Sequence, residues 1–307
     1  MSILLPELGA PSLGGQSLPR APDHSARVDP AEGKARMLPA DGQIKCTIQD
    51  GVAEITLANP SKGNALSPAM RHDLSGLWPK LAADGDVGVV IIAGEGDRHF
   101  CTGAELGAVA QTENAPLARD SARDHMSFTP HEFWKPVICA VNGLVAAAGL
   151  HFIADADIVV AAENVEFLDS HVNVGAVGAI ENVGLLRRLP LGTVLQMTLM
   201  GRKFRLPAER AYNLGLVDVL APAGGAVDTA REIAAVMLEN SPSAMALSKQ
   251  AIWQSLDLSS EAATELGWAL IRLQRSTPDY IEGARAFLER RTPRWARLAP
   301  GEDTASG

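Results

Sequence analysis

The first chemistry this chain offers needs no side chain. After Lys135-Pro136, the uncharged apolar run Val137–Val141 is broken by Asn142-Gly143, and Ala146, Ala147, Ala148 and Gly149 then lead into Leu150, Phe152 and Ile153. The run predicts a buried strand, and the apolar spacing beyond Gly149 predicts a helix. A strand that feeds a helix through residues almost without side chains leaves backbone N–H groups bare. The partial positive charge of a helix start adds to them, so the corner suits an anion or a developing oxyanion. A plain strand–helix packing corner would carry the same residues. A second corner tilts the balance: the apolar run Val87–Ala93 is followed by a turn-rich stretch ending Phe100-Cys101-Thr102-Gly103-Ala104-Glu105-Leu106. Two such corners, roughly forty residues apart, can each give one N–H to the same oxygen.

The elements that position these corners follow from pattern. Ile44, Cys46 and Ile48, then Val52, Ile55 and Leu57, form two alternating strands joined at Asp50-Gly51, a strong hairpin turn. Ser67-Pro68 starts a helix over about 68–83, with Met70, Leu74, Leu77, Trp78 and Leu81 on its core face. Asp157–Ala162 predicts another buried strand, and repeated strand–turn–helix units imply parallel pairing in an α/β protein. From Thr193 onward the chain reads helical, over 193–200, 207–214, 228–240, 242–256, 260–277 and 278–291, with Ser241-Pro242 and Thr277-Pro278 as starts. Trp268, Leu270, Ile271, Phe287 and Leu288 look like surplus apolar surface, which fits burial against a neighbouring subunit.

Composition sets outer bounds. The chain has 307 residues, 47% of them apolar, enough for one substantial core with or without an appendage. A formal net charge of −9 argues against a general nucleic-acid surface or an anionic membrane as partner. The odd count of cysteines (Cys46, Cys101 and Cys139) points to buried thiols in a reducing compartment, not a disulfide frame. Met1–Pro6 has no basic lead into its short apolar run, and the charge-free stretch Pro136–Leu150 falls short of the roughly 18 residues a membrane span needs. The expectation is a soluble, cytoplasmic protein. The domain reading is a flexible, Pro/Gly/Ser-rich tail over 1–40, a core over 41–235 and a helical region over 236–307.

Several segments, in order, resemble the crotonase (enoyl-CoA hydratase/isomerase) superfamily. They are Asn59-Pro-Ser-Lys-Gly-Asn64-Ala65-Leu66-Ser67, Phe100-Cys-Thr-Gly-Ala104-Glu-Leu, Lys135-Pro-Val-Ile-Cys-Ala-Val-Asn-Gly143, Ala154-Asp-Ala-Asp157-Ile-Val-Val-Ala-Ala162-Glu and the stretch from Gly201 to Asp218. The similarity runs from about Gln43 to Trp295. It implies a crotonase-like spiral of ββα units with a C-terminal helical oligomerisation region, assembled as a homotrimer or a dimer of trimers. It also implies fatty acid metabolism, with an acyl-CoA thioester as substrate, coenzyme A entering as part of it, and no covalently bound cofactor. The oxyanion-hole donors fall on the backbone N–H groups of Ala104 and Ala148. A preorganised donor of this kind is worth roughly 3–4 kcal/mol in the transition state.

At the two positions where hydratases of this family carry an acid/base pair of glutamates, this chain has His151 and His171. Two imidazoles in unlike environments can divide the work, one accepting a proton from water and one donating. Glu181 and Asp169 are the carboxylates within plausible reach, and a His–carboxylate pair would orient the ring and raise its basicity. A loop carboxylate facing solvent is the alternative for Glu181. Lys62, with Ala65 and Gly103, is expected to meet the coenzyme A portion, and Lys249 is a second basic candidate. His125 and His131 receive no role, and no Cys/His cluster has metal-ligand spacing. The leading expectation is an enolate-forming lyase on acyl-CoA. A β-diketone C–C bond hydrolase and a non-catalytic acyl-CoA-binding protein are the alternatives.

Overall fold

A computed structural model of the protein describes residues 36–38, 44–105, 128 and 132–296. All of them lie in the unit Lys34–Gly307; the chain's other unit is Met1–Gly33. His125 and His131 lie outside the described residues.

Among the described residues, the larger of two sheets runs in the order β1 (Arg36–Leu38), β2 (Ile44–Gln49), β3 (Val52–Leu57), β4 (Val89–Gly94), β6 (Val137–Val141), β8 (Ile158–Ala162) and β11 (Val219–Ala221). β2 and β3 are antiparallel across the Asp50-Gly51 turn, where both residues take positive φ (49° and 84°) as a tight hairpin requires. From β3 through β11 every neighbour is parallel. β4 and β6 are buried at every residue, which explains their unbroken apolar runs: strands covered on both faces have no polar side to alternate with. The expected tail to residue 40 gives way earlier, because Arg36–Leu38 pairs with β2 as an edge strand.

The helix Pro68–Ala83 begins as its sequence signals. Ser67 accepts a hydrogen bond from the Met70 N–H at 3.2 Å, and Pro68 occupies the first turn, where a missing N–H costs nothing. Its buried face is Met70, Leu74, Leu77, Trp78 and Leu81, and Phe128 and Phe133 pack edge-on against the Trp78 ring. Each such side chain removed from water stabilises the fold by about 1.5–3 kcal/mol. The expected boundary at residue 235 falls inside a helix, Ala226–Leu238, which packs against β4, β6 and β8, so the chain does not divide there.

The smaller sheet, β5 (His99–Cys101), β7 (Leu144–Ala146), β9 (Glu166–Leu168) and β10 (Leu206–Pro207), runs β10-β9-β7-β5. β5, β7 and β9 are parallel, with Cys101 opposite Val145 and Ala146 opposite Leu168. Parallel strands end on the same edge. Here that edge carries Gly103-Ala104 after β5, Ala147-Ala148-Gly149 after β7 and Asp169-Ser170-His171 after β9. Two buried asparagines hold it in place. Asn64 accepts from the Asn59 N–H at 3.0 Å and donates to Glu95 O and His99 O. Asn142 accepts from Gly94 N–H at 3.0 Å and donates to the carbonyls of Gly94 and Gly96. Among the described residues, no helix is long and apolar enough to cross a membrane.

Candidate active site

The two corners meet. Gly103 has φ +101°, and a Cβ there would lie 2.9 Å from the Ala147 Cβ and 3.2 Å from the Ala148 nitrogen, so only glycine fits. A Cβ on Gly149 would strike the Cys101 carbonyl oxygen and lie 3.0 Å from the Cys101 Cβ. The sequence cue of small residues therefore reflects close backbone approach between the segments after β5 and β7. Leu66 pairs with Ala104 in a parallel bridge: the Leu66 N–H donates to Gly103 O at 2.7 Å, and Glu105 N–H to Leu66 O at 3.0 Å. In that pattern Ala104's own N–H points away from Leu66. Ala147 adopts φ 48°, an unfavourable conformation for alanine that a rigid surround must impose. Ala148 then sits in the first turn of a short 3-10 segment, Ala147–Gly149, where an N–H has no carbonyl one turn back.

That segment continues as the helix Leu150–Asp155, buried at every residue. His151 stands one turn beyond Ala148 and is 3% exposed. The helix Ile180–Leu185 packs against it, with Gly184 so close to Ala154 that a Cβ would lie 3.0 Å from the Ala154 Cβ. This packing delivers Glu181 to the interior. The alternative of a loop carboxylate facing solvent is set aside: Glu181 lies in the first turn of a helix and is 5% exposed.

Four ionisable side chains then form a chain of contacts. His171 Nδ1 is 2.7 Å from Asp169 Oδ1, and the His171 backbone N–H donates to the same oxygen at 2.9 Å. His171 Nε2 is 3.1 Å from Glu181 Oε1. Glu181 Oε2 is 3.7 Å from His151 Nε2, an ionic neighbour beyond hydrogen-bond length. Asp169 is fully buried, and its other oxygen accepts from Asn182 Nδ2 at 2.6 Å. Burial alone would raise the Asp169 carboxyl, but the hydrogen bonds from the His171 ring, the His171 N–H and Asn182 outweigh it and hold the group below its usual range. The Asp169 hydrogen bond, opposed by burial and aided by the Glu181 and Asp169 charges, moves His171 the other way, above the ordinary imidazole value. Both shifts favour the ionic contact between the two groups, with His171 Nδ1 facing Asp169 and Nε2 facing Glu181.

The remaining candidates divide. Ala65 is buried beside the Leu66 bridge, and Lys62 is exposed and ion-paired with Glu105, the residue after Ala104. Lys249 is not available to a ligand. Its ammonium lies 2.7 Å from Asp157 Oδ2, donates to Lys135 O at 2.8 Å and faces the rings of Phe128 and Phe133. Burial, partly offset by Asp157, pushes its pKa down. Cys46, Cys101 and Cys139 are free and buried, and burial raises the first two thiols to about 11 and about 12, far from nucleophilic use. Among the described residues no group of three or more His, Cys, Asp or Glu is arranged to hold a metal ion. Sequence reasoning missed Asn182 altogether, since an asparagine after a glutamate carries no local signal of what it touches.

Comparison with known proteins identifies the family. The enoyl-CoA hydratase/isomerase family model matches residues 47–297. The (E)-benzylidenesuccinyl-CoA hydratase of Thauera aromatica is 30% identical over 244 residues, covering 79% of this chain and 94% of its own. The 2,3-dehydroadipyl-CoA hydratase of Escherichia coli (strain K12) is 32% identical over 240 residues, covering 78% and 92%. A crystal structure of an enoyl-CoA hydratase/isomerase from Mycobacterium paratuberculosis superposes with a TM-score of 0.74 at 34% identity, over 83% of this chain and 98% of that one. With one family model spanning most of the sequence, and hydratase relatives matched over nearly their whole length, this chain belongs to the enoyl-CoA hydratase/isomerase family of the crotonase superfamily.

Proposed function

We propose that the protein adds water across the α,β double bond of an acyl-CoA thioester, or catalyses the reverse elimination, with imidazoles and one carboxylate where two glutamates commonly act. The thioester oxygen sits between the N–H groups of Ala104 and Ala148. Water's oxygen bonds to Cβ as its proton passes to the basic member of the His151–Glu181–His171 set. The alkene electron pair moves through Cα to the thioester oxygen, where the two amides carry the charge. Collapse of the enolate then takes a proton at Cα from the protonated member, so no proton is gained or lost overall. His171, supported by Asp169, suits proton storage, and Glu181 links it to His151. Lys62, at the edge of the Ala104 corner, meets a coenzyme A phosphate.

The observation that carries this reading is His171 bracketed by two carboxylates, Asp169 at 2.7 Å and Glu181 at 3.1 Å. His171 follows β9, whose end shares a sheet edge with the Ala104 and Ala148 segments, and the main-chain N–H groups of those segments support the reading. The apolar residues exposed over 172–200, among them Val177, Val183, Leu191 and Leu199, and those of the last helices, among them Trp268, Ile271, Phe287 and Leu288, support assembly into a trimer or a dimer of trimers. Leu270, expected to share that face, is instead 9% exposed within its own chain.

The test is turnover of an α,β-unsaturated acyl-CoA, followed as loss of the enoyl thioester chromophore, beside a cyclic β-diketone without coenzyme A. Hydration of the thioester alone is the expected result. Cleavage of the diketone alone would replace the proposal with C–C bond hydrolysis. Tight thioester binding without turnover of either would leave a binding protein.

A further inference from the structure

The amide of Asn182 is placed at a cost to itself. Its Nδ2 lies 2.6 Å from Asp169 Oδ2, 2.9 Å from Thr198 Oγ1 and 3.1 Å from Gly178 O, which sets three acceptors around two hydrogens. Thr198 spends its own proton on Val194 O at 2.8 Å, so it faces Asn182 as an acceptor. Turning the amide over would set an oxygen against three oxygens, so the environment fixes its orientation. Meanwhile Asn182 Oδ1 is buried with no hydrogen-bond partner among the described residues. Native interiors rarely leave such an atom unpaired, and Asn182 is 5% exposed. An arrangement this unfavourable for the asparagine gains by what the amide does for Asp169. Gly178 is part of the same fit: a Cβ there would overlap Asp169 Oδ2 and lie 2.7 Å from Asn182 Nδ2.

We infer that Asn182 is a positioning residue of the acid/base network: by holding Asp169 Oδ2 it reserves Oδ1 for His171 and so decides which ring nitrogen of His171 carries a fixed proton. With Nδ1–H committed to Asp169, the ring directs Nε2 to Glu181 Oε1, 3.1 Å away. Without the amide, Asp169 is free to rotate and exchange its oxygens, and the fixed tautomer is lost. The titratable groups around His171 are Asp169 on its own segment and Glu181 from the helix Ile180–Leu185, with His151 beyond Glu181.

The inference rests on the acid/base reading above, so its primary readout is independent of turnover. Ring 15N resonances are recorded on the full chain, which has seven histidines, and His171 is assigned by its absence in His171→Gln. The wild type is expected to keep Nδ1 protonated through neutral pH. In Asn182→Ala a mixture of tautomers is expected, with kcat reduced about 10–100-fold and KM nearly unchanged, the scale typical of lost supporting hydrogen bonds. The isosteric Asn182→Asp covers the case in which the alanine variant does not fold. A carboxylate against Asp169 is expected to raise the His171 titration and move the corresponding limb of the kcat–pH profile upward. A wild-type His171 tautomer in Asn182→Ala, or an unmoved His171 titration in Asn182→Asp, overturns the inference. If the wild type turns over no thioester, the ring spectra still decide it.

Discussion

The site has two halves built on opposite principles. The corner after β5 and β7, proposed to work through main-chain N–H groups, is defined by what its side chains lack: Gly103, Ala147, Ala148 and Gly149 leave the backbones in contact. The half formed by Asp169, His171, Glu181, Asn182 and His151, proposed to carry the acid/base step, is built from side-chain atoms, each with a named partner. In the first half, residue identity matters only through volume. In the second it matters through charge and hydrogen-bonding capacity. On the proposed function, the same edge of one small sheet would keep its oxygen-binding corner while the acid/base groups change from glutamate to histidine, because the two halves depend on different properties of the chain.

Substitutions that separate chemistry from packing test this contrast. The largest effect is expected at His171. His171→Gln keeps a polar side chain but cannot carry an imidazole proton, so kcat should fall about 10²–10⁴-fold with little change in melting temperature. Steady-state turnover that survives the change would remove the side-chain half from the mechanism. Next comes the corner, where the response should follow volume alone. Gly149→Ala pushes against the Cys101 carbonyl and should destabilise the fold by about 1–3 kcal/mol or more, whereas Ala148→Gly removes a single methyl and should cost about 1 kcal/mol or less. Thermal denaturation of both variants checks it, and equal losses would contradict the volume rule.

Smaller is the pH dependence of stability. Asp169 sits below its ordinary range, so its contribution is present above about pH 3.9 and is lost as pH falls through the depressed value. His171 sits above its ordinary range, so its contribution is complete below about pH 6.5 and is lost as pH rises through the elevated value. The melting-temperature gap between wild type and Asp169→Asn should be widest between about pH 4 and 6.5 and shrink on both sides. A gap that is flat with pH would mean the pair is not charged as described. The smallest effect belongs to Lys62→Ala, since an exposed ion pair contributes roughly 0–1 kcal/mol. Stability should barely move while KM for a coenzyme A thioester rises. An unchanged KM would remove Lys62 from substrate binding.

The sequence alone was enough for whatever depends on neighbours along the chain. The Asp50-Gly51 turn, the Ser67-capped helix, the buried runs of β4 and β6 and the small-residue corners are each written in a few consecutive residues, because turn geometry, helix capping and burial period are local properties. His151 and His171 were legible as the residues standing at motif positions. Their partners were legible only as possibilities. That Glu181 turns inward depends on one short helix meeting another at Gly184 and Ala154, and that Asn182 holds Asp169 depends on a contact thirteen positions back in the chain. Lys249 read as a second basic candidate for coenzyme A until the helix Pro242–Ser255 carried it to Asp157. A side chain's partner is chosen by the packing of segments remote in sequence, and hydrogen bonds, unlike helical or strand period, leave no repeat along the chain that would announce them.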